Sequence, residues 1–239
     1  MKTTFKIIVI VLFAAFYGCQ KNDVSMDLNS SITSDGVLSG IIVNDSNRID
    51  SIKAFGDDNL LGKSAVSTAG NFSLALTTPI LRKIGTPPSG VVVSDTTAMV
   101  TSVYNIQAFK SGIFTGHVYK SNSITSSLSS NVKAGVSSSL LMYSDRAFTI
   151  NGQEVHTSTN NGITSNSKLN YSITFKKGWN EIMLKVDTYS TTSTTSTVVE
   201  TYSNTITADL QWRYFPSNAS YVRAKAKGVQ DEVKQGFLF

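Results

Sequence analysis

The sequence predicts an all-β protein, and three observations carry that expectation. Ser and Thr make up about a quarter of the 239 residues while Pro numbers only four. Combined with Val, Ile, Tyr and Phe, this composition favours strands. Apolar and polar residues alternate with a period of two in several short segments, which places one face of each on a core. Clusters of Asn, Asp and Gly punctuate those segments as turns do. A hydrophobic content of 41% supplies a core and is too high for a disordered chain. The expected architecture is two antiparallel β-sandwich domains, 35–110 and 111–216, or one elongated two-part sandwich, followed by a tail, 217–239.

The first group of elements begins with a strand at 36–43, ended by the turn-rich Asn44-Asp45-Ser46-Asn47. Strands at 49–55 and 60–66 flank a second turn, Gly56-Asp57-Asp58-Asn59. The segment 70–76 alternates strictly, with Phe72, Leu74 and Leu76 on one side and Ser73 and Ala75 on the other. Thr86-Pro87-Pro88-Ser89-Gly90 marks a loop, and 99–109 reads as one long strand. In this group Ser39-Gly40-Ile41-Ile42-Val43, the segment around Ile52, and Gly70, Phe72 and Leu74 in a Gly-x-Phe-x-Leu pattern resemble the carboxypeptidase-regulatory, or transthyretin-like, β-sandwich. The resemblance covers about 45 residues and implies that fold for the first domain.

The second group starts with a strand at 113–119, followed by a Ser-rich loop over 121–139. Short strands are expected at 140–143 and 146–150, the latter ending in Asn151-Gly152, a strong hairpin-turn signal. Residues 168–176 alternate with Leu169, Tyr171, Ile173 and Phe175 inward. Lys177-Gly178 then reads as a tight turn into 179–187, giving a hairpin. Residues 188–197, almost all Ser and Thr, read as an exposed loop. The segment 205–214 reads as a strand, with Ile206, Ala208, Leu210, Trp212 and Tyr214 on one face. In the tail, Val222, Ala226, Val229 and Val233 share one face of a marginal helix, weakened by Gly228. Tyr143 to Gly152 and Phe175 to Ile182 resemble paired segments of Bacteroidota lipoproteins, which implies lineage and no activity.

The N-terminus has the three parts of a secretory signal. Lys2 and Lys6 precede an uncharged apolar run over 7–17, which is shorter than the roughly 20 residues of a membrane span. Gly18 and Cys19 follow. Phe16-Tyr17-Gly18-Cys19 resembles a lipobox, with Phe16 where Leu is usual. The resemblance implies diacylglycerol on the Cys19 sulfur, cleavage of 1–18, and acylation of the new amine. Such a chain is held at the membrane through lipid on Cys19, with polar 19–34 as a tether. Gln20, rather than Asp, is compatible with the outer membrane, facing either the periplasm or the cell surface. Cys19 is the single cysteine, so its lipidation leaves no disulfide and no thiolate ligand.

Few residues carry a chemical signature, and the reading is of a protein that is not an enzyme and holds no cofactor or metal. Loss of Lys2 and Lys6 with the signal lowers the net charge from +5 to +3. The basic residues are scattered, which excludes a nucleic-acid stripe. His117 and His156 stand apart in strand regions and read as structural. Asp45, Asn47 and Asp50 are oxygen-rich, but Asp50 and Gly56 fall where an EF-hand loop needs Gly and Glu. Asp145, beside Tyr143 and Arg146, and Glu181, near Trp179, are the carboxylates in the most aromatic settings. Trp179 and Tyr143 are candidate sugar contacts, whereas Trp212 reads as core. Asp50-Ser51-Ile52 and Asp95-Thr96-Thr97 resemble the O-glycosylation motif of exported Bacteroidota proteins, which implies Ser51 and Thr96 as candidate acceptors. The expected function is a non-enzymatic binding or structural role at the envelope. Alternatives are a glycan-binding accessory of nutrient uptake and a fimbrial subunit assembled by strand exchange through 188–197 or the tail. A barrel whose last strand ends at Phe239 is a further alternative, disfavoured by the charged, Gly-interrupted segment before it.

Overall fold

The protein is described by a computed structural model over residues 32, 33, 35–45, 47–103, 105–123, 133–160 and 162–217. Cys19, the expected signal and the marginal helix expected in the tail lie outside the described residues. The fold is all-β. Its strands are β1 (Val37–Ile41), β2 (Ser51–Gly56), β3 (Asn59–Ala65), β4 (Asn71–Ala75), β5 (Arg82–Lys83), β6 (Val91–Val93), β7 (Met99–Val103) and β8 (Asn105–Lys110). They continue with β9 (Ile113–Ser121), β10 (Ser137–Ser144), β11 (Phe148–Asn160), β12 (Ile163–Phe175), β13 (Gly178–Thr191), β14 (Thr195–Ser203) and β15 (Gln211–Pro216).

Seven strands close around a first core in the order β1, β4, β3, β2, β8, β9, β15 and back to β1. Four steps of that ring, β4–β1, β3–β2, β2–β8 and β9–β15, are antiparallel ladders, as is β8–β9 with one bulge at Ala108/Phe109. β3 and β4 meet at a Val66–Phe72 bridge, where Ser73 N donates to Ser64 Oγ. The last step is a parallel contact: Val43 N donates to the Trp212 carbonyl at 3.0 Å. Beyond it the Asn44 side chain behaves like a peptide group. It accepts from Tyr214 N at 2.6 Å and donates to Tyr214 O at 3.0 Å. Inside lie Leu38, Ile52, Ala54, Leu74, Ala108 and Val118, all fully buried, with Phe72 and Trp212 edge-to-face at 5.4 Å.

A second core sits under β5, β7, β10, β13, β14, β12, β11 and β6, hydrogen-bonded in that order. Its centre is Val100, Met142, Ile173 and Ile182, with Phe148 and Phe175 stacked at 4.4 Å. Each core draws strands from both sides of residue 110. β8 and β9 form one hairpin across the expected 110/111 boundary, while β7 pairs with β10 and β15 returns to β9. The long strand expected over 99–109 is therefore two strands: β7, which gives Val100 to the second core and Val103 to the first, and β8, which serves the first.

Four further expectations are corrected. Asn151-Gly152 is not a turn, because β11 runs straight through it. Gly152 holds φ +122°, and a Cβ there would lie 2.1 Å from the Gly90 carbonyl oxygen. The glycine admits close approach of β6 instead. The β11 hairpin closes later, where Asn160 pairs with Ile163 and Gly162 has φ +77°. The hairpin expected across Lys177-Gly178 does not form. β14 inserts between β13 and β12, antiparallel to the first and parallel to the second. Asn180 instead ties the corner, accepting from Lys176 N and donating to Lys176 O.

Residues 188–197 are not a loop. They are the end of β13 and the start of β14, joined at 192–194 by a turn in which Thr192 N donates to Thr195 O. Thr is β-branched and suits a pleated surface even without a core beneath it. The strand expected over 205–214 is restricted to β15, because 204–210 carries the chain from one core to the other. Leu210, fully buried, is the anchor of that passage, whereas Ala208 is exposed.

Candidate functional site

The sugar-contact candidates come together, Trp179 buried and Tyr143 half-buried. Tyr143 and Trp179 are cross-strand partners in β10 and β13, edge-to-face at 5.3 Å. Trp179 is buried, and its ring lies against Gly36, where a Cβ would come within 2.8 Å of Cδ1. A stacking platform needs an exposed ring face, and that of Trp179 is covered. Trp212 is core, as expected.

The carboxylate candidates are committed to structure. Glu181 is buried and paired with Lys120 Nζ at 2.9 Å, the two side chains being 4% and 0% exposed. Asp145 lies on the surface, where it accepts from Met99 N and from the Arg146 guanidinium. Arg146 first, then the Met99 amide, lowers its pKa below the ordinary Asp value. Arg146 also reaches Asp95 and Thr97. In the candidate calcium turn, Asp45 accepts from Asn47 N, but Asp50 turns away to cap Ser111 N at 2.7 Å. Among the described residues no group of three or more His, Cys, Asp or Glu is placed to hold a metal.

The two glycosylation candidates separate. Thr96 is exposed at the tip of a turn in which Asp95 Oδ1 accepts from both the Thr97 amide and hydroxyl. Ser51 is half-buried in β2, paired on both sides, and its hydroxyl donates to Asp50. Of the two, only Thr96 presents its side chain to solvent. His156 is exposed and pairs with Glu154, which also accepts from Tyr171 OH at 3.0 Å.

The outer face of the first core carries an arrangement that the sequence reading missed. Five rings run across β8, β9 and β15: Phe109, Phe114, His117, Tyr119 and Phe215. Their centroids follow at 6.0, 5.1, 6.0 and 5.8 Å. Lys53 Nζ sits 4.2 Å from the Phe109 centroid, a cation–π contact at one end. Phe114 is 40% exposed and its neighbour Ile113 71%. The β8–β9 bulge explains the assembly: by strict alternation Phe114 would face away from His117. The bulge resets the register, so Phe114 opposes Phe109 while His117 opposes Gln107.

His117 is held by Asn105, whose Oδ1 is an acceptor, so Nδ1 carries the hydrogen and Nε2 is left as an acceptor. Burial pushes its pKa down to about 4. At neutral pH the imidazole is uncharged, a ring and a hydrogen-bond acceptor rather than a proton shuttle. Phe109 and Phe215 are buried, so the strip presents chiefly Phe114, with His117, Tyr119, Lys53, Asn105 and Gln107 half-buried beside it. Compared with known protein families, with curated proteins and with solved structures, the chain finds no match.

Proposed function

We propose that this chain is an outer-membrane-anchored lipoprotein with a non-enzymatic binding role at the cell envelope. The anchor rests on the signal-like 1–18 and on Cys19 after Gly18. Acylation at two or three positions there gives stable attachment, whereas a single chain is marginal. The binding role rests chiefly on the ring strip, bordered by Lys53, Asn105 and Gln107 and exposed at Phe114. Aromatic faces flanked by amides suit the apolar faces and hydroxyls of sugars. This favours an oligosaccharide as the ligand and replaces Trp179 and Tyr143 with Phe114 and His117 as the contacts.

Two measurements test the reading. Labelled palmitate enters the wild-type chain in its host and not Cys19→Ala, and the variant leaves the membrane fraction. Labelled Cys19→Ala removes the anchor from the proposal. On a broad glycan array, Phe114→Ala lowers retained signal about tenfold, the loss of one stacked ring. No binding by the wild type, or binding that Phe114→Ala leaves unchanged, removes the ring strip.

A further inference from the structure

β11, β12, β14 and β13 run on past the second core as a four-stranded ribbon whose residues are exposed or half-buried on both faces. On one side of that ribbon, β6 covers only Ile150, Asn151 and Gly152 of β11. The rest of that edge, 153–160, has no strand beside it among the described residues. Two hydrogen bonds fix which backbone groups point outward there. Gln153 N donates to Gly90 O at 2.9 Å, and Thr149 O accepts from Ser94 N at 3.0 Å. Odd-numbered residues of β11 thus turn their peptide groups away from β12. Even-numbered residues bond β12, up to the Asn160–Ile163 pair that closes the turn. Val155, Thr157 and Thr159 therefore present N–H and C=O pairs outward.

Proteins defend such edges with Pro, Lys, bulges or short strands. The other edges here follow that rule. β5 and β6 are two and three residues long, and β13 has a bulge at Val186/Thr188 beside the Lys185–Asp187 ion pair. The 153–160 edge has none of these devices, and its Val155 side chain is 61% exposed.

We propose that this edge pairs with the same edge of a second copy, antiparallel and centred on Thr157. In that register Thr157 faces Thr157 and Val155 faces Thr159, so all three outward peptide pairs are satisfied in six hydrogen bonds. The intervening positions are complementary: Glu154 faces Asn160 and His156 faces Ser158, with no like charges opposed. Beyond Glu154 the outward edge is already taken by Gly90, and the partner's strand ends at the same level in its own turn. The two bodies then lie at opposite ends of a continuous eight-stranded sheet. The closed two-fold contact limits growth to a dimer, and its short ladder makes the dimer reversible.

Sedimentation equilibrium of the full chain, density-matched for detergent, tests this. The apparent mass is expected to rise with concentration toward twice the monomer value. Thr157→Pro removes an outward N–H and leaves the β12 ladder intact, because Pro is tolerated on a strand edge. It is expected to stay monomeric, with an unchanged circular dichroism spectrum. Thr159→Pro, which does the same one pair away, decides the matter if Thr157→Pro fails to fold. A wild-type chain that remains monomeric up to about 1 mM overturns the proposal. So does a dimer whose dissociation constant neither proline variant changes.

Discussion

Replacing Lys120 by Met is expected to destabilise the protein strongly, by leaving the Glu181 carboxylate buried without its cation. Lys120 lies on β9 opposite Trp212 and Glu181 on β13 opposite Leu141, so the pair joins β9 to β13 beside residues of the first core. Nζ and Oε1 are 2.9 Å apart in almost complete burial, and Glu181 Oε2 has no hydrogen-bond partner. Removing one partner of such a pair costs roughly 3–5 kcal/mol, because the remaining charge keeps its desolvation penalty. That is a large share of the roughly 5–15 kcal/mol by which domains are stable. Glu181→Leu is expected to cost a similar amount. The double variant Lys120→Met/Glu181→Leu removes both charges and fills the space with apolar atoms, so it is expected to lie within about 1 kcal/mol of wild type or above it.

Urea unfolding followed by tryptophan fluorescence measures this directly. The chain has two tryptophans, Trp179 and Trp212, and both are buried in the first core. Midpoints should fall in each single variant and recover in the double, with the denaturant slope unchanged. The reasoning fails if either single variant loses less than about 1 kcal/mol, or if the two losses add instead of cancelling, as those of distant sites do to within about 0.5 kcal/mol.

Two further outcomes are expected. Burial keeps His117 neutral down to a pKa of about 4 in the fold, while the unfolded chain binds a proton near 6.5. The unfolded state therefore gains protons first, so stability is full above pH 6.5 and falls as pH drops toward 4. The loss is at most roughly 3 kcal/mol before solvent screening, and His117→Gln should flatten that part of the stability–pH curve. Gly152→Ala forces a side chain into φ +122° and against the Gly90 carbonyl. It should cost roughly 3 kcal/mol in thermal or urea unfolding, whereas Gly112→Ala, with no atom within 4 Å of the added Cβ, meets strain alone and should cost less.

The period-two segments were legible because burial of one sheet face leaves its mark residue by residue. Phe72, Leu74 and Leu76 are all buried, with Ser73 and Ala75 outward. The Gly56-Asp57-Asp58-Asn59 turn was equally readable: Asp57 and Asp58 both take positive φ between paired Gly56 and Asn59. What the sequence hid was which strand pairs with which. A tight turn at Lys177-Gly178 gives the same local pattern whether the flanking strands pair or a third strand enters between them. Asn-Gly serves as well for close backbone approach, at 151–152, as for a turn. Thr-rich 188–197 carries no alternation because both faces of its sheet meet water, so strand and loop look alike there.

The candidate site was hidden for a related reason. The ring strip depends on a bulge at Ala108/Phe109, a register shift that no residue in the chain announces. Lys120 is the sharper case. It occupies an inward position between Val118 and the end of β9, where alternation predicts an apolar side chain. A lysine there breaks the pattern unless an acid arrives from elsewhere in the fold. Glu181 does so from 61 residues away, and its own inward position beside Ile182 breaks the β13 pattern in the same manner. Two local violations, each unfavourable alone, become consistent only when β9 and β13 are brought together. The ion pair thus fixes β9 against β13 more selectively than apolar contact does, since an apolar side chain at either place would accept many neighbours and a buried charge accepts few.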